Sequence, residues 1–347
     1  MHRIFLPILT FRYSLLTLGW IKYFRNSLNH SAVLDIGRVK TAPAGDRALP
    51  HDSTGVGQAA HDGHITAAMA KVPFFKMHGL GNDFVVLDAR YQAIALDGEA
   101  VCRLVDRHTG IGCDQLIVLE PPRQATARLF MRIRNADGSS AEACGNAARC
   151  VAWLLHRQNG ETRMRIETAA GLLEAEIMPD GQVAVDMGLA RTEWGEIPLA
   201  RPEDTLCVDL ALGPLSEPVC TNIGNPHATF FVEDVEAIDL GEVGPVLERH
   251  PLFPERANIG VAKVDDQTHL RLRVWERGAG ITRACGTAAC AALVAASRRG
   301  LTGRRGSIEL DGGSLDICWR EDGHVIMTGP AALSFEGTFD QALLAGS

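Results

Sequence analysis

The strongest constraint on the fold is an internal repeat. Shifting the chain by 141 residues lays RIRNADGSSAEACGNAARC (132–150) over RVWERGAGITRACGTAACA (273–291), so that Arg132 meets Arg273, Cys144 meets Cys285 and Asn135 meets Glu276. A shift of 143 sets Asn82-Asp83-Phe84 over Asn225-Pro226-His227, each ahead of β-branched or aromatic residues. Matches that keep their order and nearly their offset imply two homologous halves. In both, a polar approach runs into Cys-Gly and then into an apolar, Ala-rich stretch that favours helix. Each cysteine therefore stands at a helix start. Backbone N–H groups there lack intrahelical partners and the macrodipole is positive, so a thiolate or a substrate carboxylate is stabilised.

The rest of the chain supports this organisation. Phe84–Asp88, Leu116–Leu119 and Leu129–Ile133 read as strands, and 97–108 carries apolar residues at helical spacing (Ala100, Val101, Leu104, Val105). Further strands are expected at Met164–Thr168, Leu172–Ile177, Val183–Asp186, Asn258–Val264, His269–Val274, Ser307–Leu310, Leu315–Trp319 and Val325–Thr328. Gly188 and Pro330 look like crossings between halves, and Leu333, Phe335 and Phe339 should return the tail to the first half. The expected division is 72–188 plus about 331–345 for one half and 189–330 for the other. Residues 1–70 are read as an extension, disordered or outside the functional protein, which is expected to begin near Met69.

Composition removes several function classes. No run approaches the length of apolar residues that spans a bilayer, so no membrane association is expected. A formal net charge of -8 gives no general basic field for nucleic acid. The 9 cysteines form no CxxC pair and no Cys/His cluster at zinc spacing, so a structural metal or a disulfide framework is not expected, and reduced thiols in the cytoplasm are. Arg298-Arg299 and Arg304-Arg305 follow the second Ala-rich helix and are read as a solvated face complementing its C-terminus. A small polar substrate is the expected partner.

Two equivalent helix-start thiols on opposed halves suit stereoinversion. Inverting a carbon requires removing a proton from one face and delivering one to the other, and two acid/base groups do this without turning the substrate. The helix start is expected to pull a thiol pKa from its ordinary value of about 8.5 toward neutrality. The weak acidity of a C–H beside a carboxylate demands preorganised N–H dipoles, which Cys144-Gly145-Asn146 and Cys285-Gly286-Thr287 can supply. Glycine after each cysteine would let the substrate approach the backbone. No phosphate loop or dinucleotide fingerprint is evident, so no PLP, NAD or nucleotide cofactor is expected.

At HGLGNDF (78–84), GIGCDQ (110–115), RNADGSSAEACGN (134–146), GNPH (224–227), ANIG (257–260), WERGAG (275–280) and TRACGTAACAA (282–292) the chain resembles the diaminopimelate epimerases. The resemblance covers about 72–340. It implies an α+β fold of two pseudo-symmetric domains, each a curved β-sheet barrel around a central helix, usually a homodimer. It implies cofactor-independent interconversion of LL- and meso-diaminopimelate in lysine and peptidoglycan precursor synthesis. It matches Cys144 and Cys285 to the acid/base pair, and His227 with Glu276 to groups supporting them. Asn82, Gln115, Asn135, Asn225, Asn258, Glu276 and Arg277 match substrate-binding positions, and Gly145-Asn146 and Gly286-Thr287 the two carboxylate cradles. Ala147 and Ala288 stand where glycine is frequent, and Ile281 where an acid often does. The runner-up within a two-thiol architecture is a proline or hydroxyproline racemase or epimerase. Arg277 and the several asparagines favour a longer, doubly charged substrate over it. Outside this architecture, a thiol redox protein would work through a stable Cys144–Cys285 disulfide.

Overall fold

The computed structural model describes residues 71–345, so the expectation for the first 70 residues lies outside the described residues. In chain order the first series is β1 (Lys71–Gly79), β2 (Asn82–Asp88), α1 (Gly98–Val105), β3 (Gln115–Glu120), β4 (Leu129–Asn135), β5 (Ser140–Ala141), α2 (Gly145–Asn159), β6 (Arg163–Thr168), β7 (Gly171–Ile177) and β8 (Val183–Leu189). It continues with β9 (Ala211–Leu212), β10 (Leu215–Ser216), β11 (Val219–Asn222), β12 (Pro226–Phe231), α3 (Leu240–Glu248), β13 (Asn258–Val264), β14 (His269–Glu276) and β15 (Gly280–Thr282). The last elements are α4 (Gly286–Arg298), β16 (Arg305–Leu310), β17 (Gly313–Trp319), β18 (His324–Gly329), β19 (Ala332–Asp340) and α5 (Ala342–Ala345).

The repeat is written in the strand pairings. Along β1-β2-β3-β4-β6-β7-β8 they run antiparallel, parallel, antiparallel, parallel, antiparallel, antiparallel. The same succession recurs along β11-β12-β13-β14-β16-β17-β18. The last strands of the two series, β8 and β18, pair with each other antiparallel, with Val185 opposite Met327. β19 pairs with β1, so the tail returns to the first series as expected.

Each series wraps one of the cysteine-started helices. Leu154 and Leu155 of α2 pack with Phe84, Ile117, Met131 and Ile133, and each such leucine stabilises the fold by about 1.5–3 kcal/mol. The α4 sequence is apolar all round because it is enclosed all round: Ala289, Ala291, Ala292, Leu293 and Val294 are each 0% exposed, and small side chains let the surrounding strands close in. α1 is an amphipathic surface helix, capped by Asp97, whose carboxylate accepts from the Ala100 N–H at 2.7 Å. Among the described residues no helix is long and apolar enough to cross a membrane.

Of the basic residues after α4, Arg298 and Arg299 differ from expectation. Arg298 donates to the Cys220 carbonyl and the Thr205 hydroxyl, and Arg299 to the Leu206 and Glu217 carbonyls. Arg304 lies over the Trp319 ring. Arg304 and Arg305 are exposed, as expected, whereas Arg298 and Arg299 tie the end of α4 to neighbouring segments rather than facing solvent. Their donors match carbonyls that only the tertiary fold brings near.

Candidate active site

The two helix starts open onto one cleft of about 590 Å³. Cys144, Gly145 and Asn146 line it from α2, and Cys285, Gly286 and Thr287 from α4. Both cysteines hold extended backbone at the N-cap, and neither side chain caps its helix. The first-turn amides are therefore left for the thiols and for whatever the cleft holds. Asn82, Gln115, Asn135, Asn225, Glu276 and Arg277 complete the expected lining.

The glycines after the cysteines serve packing as much as ligand approach. A Cβ on Gly145 would lie 2.6 Å from Met327 Cε and 2.9 Å from Met187 Cε, and one on Gly286 would lie 2.7 Å from Met327 Sδ. The methionines of the β8–β18 seam occupy the space beneath both helix starts, so only glycine lets the helices approach it.

Electrostatics modify the expectation for the thiols. Burial pushes Cys144 up to about 11, against the pull of the Ala147 and Asn146 amides and with the charge of Glu276 adding to the rise. Cys285 is likewise pushed up by burial and by Glu276, opposed by the Thr287 hydroxyl 3.5 Å away. The helix-start amides act in the foreseen direction, but desolvation outweighs them. Burial also raises Glu276, whose carboxylate accepts from the Thr282 hydroxyl.

The polar lining is pre-ordered. Asn82 Nδ2 donates to Asp114 at 3.0 Å, which turns Asn82 Oδ1 toward Asn146 Nδ2 at 3.2 Å and toward Cys144 Sγ at 4.0 Å. Asn146 Nδ2 also donates to the Ala284 carbonyl at 3.2 Å, so one amide links the two thiol-bearing helix starts. Gln115 donates to Asn135 at 2.9 Å while its Oε1 is buried with no partner among the described residues, an acceptor available to a donor entering the cleft. Arg277 donates through its side chain to the Glu255 carbonyl at 2.9 Å.

Two expected residues stand behind the lining. Asn258 is 2% exposed and bridges the Pro226 carbonyl (3.1 Å) and the Arg277 N–H (2.9 Å), so both ends of its amide are engaged by protein. His227 is bonded through Nε2 to Asn225 Oδ1 at 2.8 Å, and among the described residues no hydrogen bond joins it to either thiol. Burial, with the charge of Arg277, lowers its pKa to about 3, so it is neutral at physiological pH.

That depression has a stability consequence. The unfolded chain binds a proton at His227 near the ordinary value of 6.5 while the native state does not until about pH 3. The contribution is complete above pH 6.5 and is lost as pH falls from there toward 3, at about 1.4 kcal/mol per pH unit. Urea unfolding between neutral and mildly acidic pH should show a shallower acid loss for His227→Gln than for the parent; equal slopes would contradict the assignment.

Residue-level reading of the sequence missed three groups. Asp114 lines the cleft and orients Asn82. Asp83 is held behind it: burial works against its charge, but hydrogen bonds from Arg107 and Lys76 bring its pKa down to about 2. Thr282 holds Glu276. Asp114 sits within GIGCDQ, beside Gln115, and that adjacency was the available signal; Thr282 carried none beyond its place ahead of Cys285.

The family model described as Diaminopimelate epimerase matches residues 74–193 and 219–334. A diaminopimelate epimerase of Rhodospirillum centenum is 59% identical over 274 residues, covering 79% of this chain and 94% of that relative. Another from Acidiphilium cryptum is 58% identical over 273 residues, covering 79% and 98%. Among solved structures, a hydroxyproline epimerase from Agrobacterium vitis superposes with a TM-score of 0.58 at 18% identity, covering 78% of this chain and 92% of that one. A phenazine biosynthesis protein from Bacillus anthracis superposes at 0.57 with 16% identity, covering 78% and 99%. The likeness to these two establishes the shared fold.

Proposed function

Because the chain belongs to the diaminopimelate epimerase family, we propose that it interconverts LL- and meso-diaminopimelate by proton exchange between Cys144 and Cys285. The observation that carries this reading is the opening of both helix-start thiols, from topologically equivalent positions, onto one cleft. One cysteine, as thiolate, takes the α-proton and leaves the electron pair on the α-carbon and its carboxylate. The other, as thiol, donates its proton to the opposite face, so the two exchange protonation states as the centre inverts.

The first-turn amides of α2 and α4 stabilise the charge that develops on the carboxylate, each such donor contributing on the order of a hundredfold in rate. The reading calls for no cofactor, because the two thiols and these dipoles carry every proton and charge. Since burial raises both thiols, the substrate ammonium is the natural counter-charge that favours the thiolate when the cleft fills. Arg277 receives the remote carboxylate, and the unpartnered Gln115 oxygen accepts from an ammonium. Asn258 and His227 act through Arg277 and Asn225 respectively. The same reading, from the family resemblance, has the enzyme act in the cytoplasm as a homodimer and feed lysine and peptidoglycan precursor synthesis.

Incubating the purified, reduced protein with LL-diaminopimelate in deuterated water, without added cofactor, should yield meso product with deuterium at the inverted α-carbon. A folded, reduced enzyme that exchanges no deuterium would reject the proposal.

A further inference from the structure

Glu248 is an acid in the wrong place for its helix. It ends α3, where the macrodipole is negative, and is 3% exposed. A carboxylate buried there persists only where donors compensate it. They come from the loop that carries Glu276 and Arg277. Trp275 Nε1 donates to Oε2 at 2.7 Å, and the Gly278 N–H donates to Oε1 at 3.2 Å. The two oxygens thus grip the residues on either side of the Glu276-Arg277 pair. Arg256 lies 3.5 Å from Oε1, and the Glu248 carbonyl accepts from the Ala257 N–H at 3.3 Å. Ala257 precedes Asn258, whose Oδ1 accepts from the Arg277 N–H at 2.9 Å.

From this double grip we infer that Glu248 is a positioning residue for the substrate-contacting loop, setting the corner from which Glu276 and Arg277 face the cleft. The inference rests on the proposed roles of those two residues. Packing of the Trp275 ring over α3 holds the same corner laterally: a Cβ on Gly244 would come within 2.5 Å of Trp275 Cδ2. The carboxylate supplies what packing does not, a direction for the backbone at Gly278. Misplacing a substrate-contacting group by about 1 Å costs on the order of a hundredfold.

The test compares the parent with Glu248→Gln and Trp275→Phe. The glutamine keeps the shape but presents an NH2 to one of the two donors. The phenylalanine keeps the ring and removes one donor, and so serves where the first variant folds poorly. Glu248→Gln should raise KM for diaminopimelate at least tenfold, lower kcat by a smaller factor, and shift the Trp275 indole N–H resonance in ¹⁵N spectra, that peak being assigned by its loss in Trp275→Phe. Trp275→Phe should raise KM severalfold. A general loss of structure would instead lower kcat with the folded fraction and leave KM unchanged. Parent-like KM and kcat in both variants would overturn the inference. If the parent itself turns over no diaminopimelate, the proposed function fails instead; an unmoved indole resonance in Glu248→Gln would then still refute the grip.

Discussion

Cys144→Ala and Cys285→Ala should each abolish epimerisation, by about a thousandfold or more, while the exposed Cys207→Ala leaves it unchanged. A single thiol reaches one face of the α-carbon. Without its opposite, a proton removed can only return to the side it left, so the centre does not invert. Both variants should fold, since each substitution replaces a small side chain at a helix start that it does not cap. Separating the stereoisomers after incubation with LL-diaminopimelate checks the result. Turnover within tenfold of the parent in either variant would rule out a two-thiol exchange. A thiol redox mechanism is separated by the same proteins under reducing conditions, where it predicts an inactive parent.

The second large effect is expected at a residue outside the cleft lining, in Gly312→Ala. A Cβ at this position would lie 1.9 Å from the Leu80 carbonyl oxygen and 3.1 Å from that of Arg283. Both obstacles are backbone, so neither yields by a rotamer change. Leu80 belongs to the turn that leads to Asn82, and its φ of 56° leaves that turn little freedom to relax. Arg283 precedes Cys285 by two residues and accepts from the Gly312 N–H at 2.8 Å. One methyl therefore pushes on segments leading to both cleft walls. The expected loss is about 3 kcal/mol, read as a fall of roughly 5–10 °C in Tm, with kcat/KM reduced as well. Gly195→Ala is the control, because nothing lies within 4 Å of its added carbon. Equal melting points for the two variants would refute the close approach.

Much of the fold was legible because its signals are local or periodic. Strand alternation, the Ala-rich composition of the two enclosed helices and the Leu333–Phe339 tail all read directly, and the tail does return to β1. The candidate site was legible to the extent that its residues lie in repeated motifs. Most of them do line the cleft, whereas His227 and Asn258 proved to stand one layer behind it. A linear string carries no depth: a histidine or asparagine has the same letter whether it faces a ligand or orders the group that does.

The chain's own text determined that two equivalent thiols exist and that each begins a helix, because repeat offset and helix-start chemistry depend on neighbours within a few residues. Only the tertiary structure decided how those thiols are charged and held. Desolvation comes from atoms distant in sequence, and it outweighs the helix-start amides at Cys144 and Cys285. The reason for glycine beside each cysteine lies in Met187 and Met327 on the β8–β18 seam. The grip of Glu248 on Trp275 and Gly278 joins positions about thirty residues apart. Burial and long-range contact are sums over the whole packed molecule, and no window of sequence contains them.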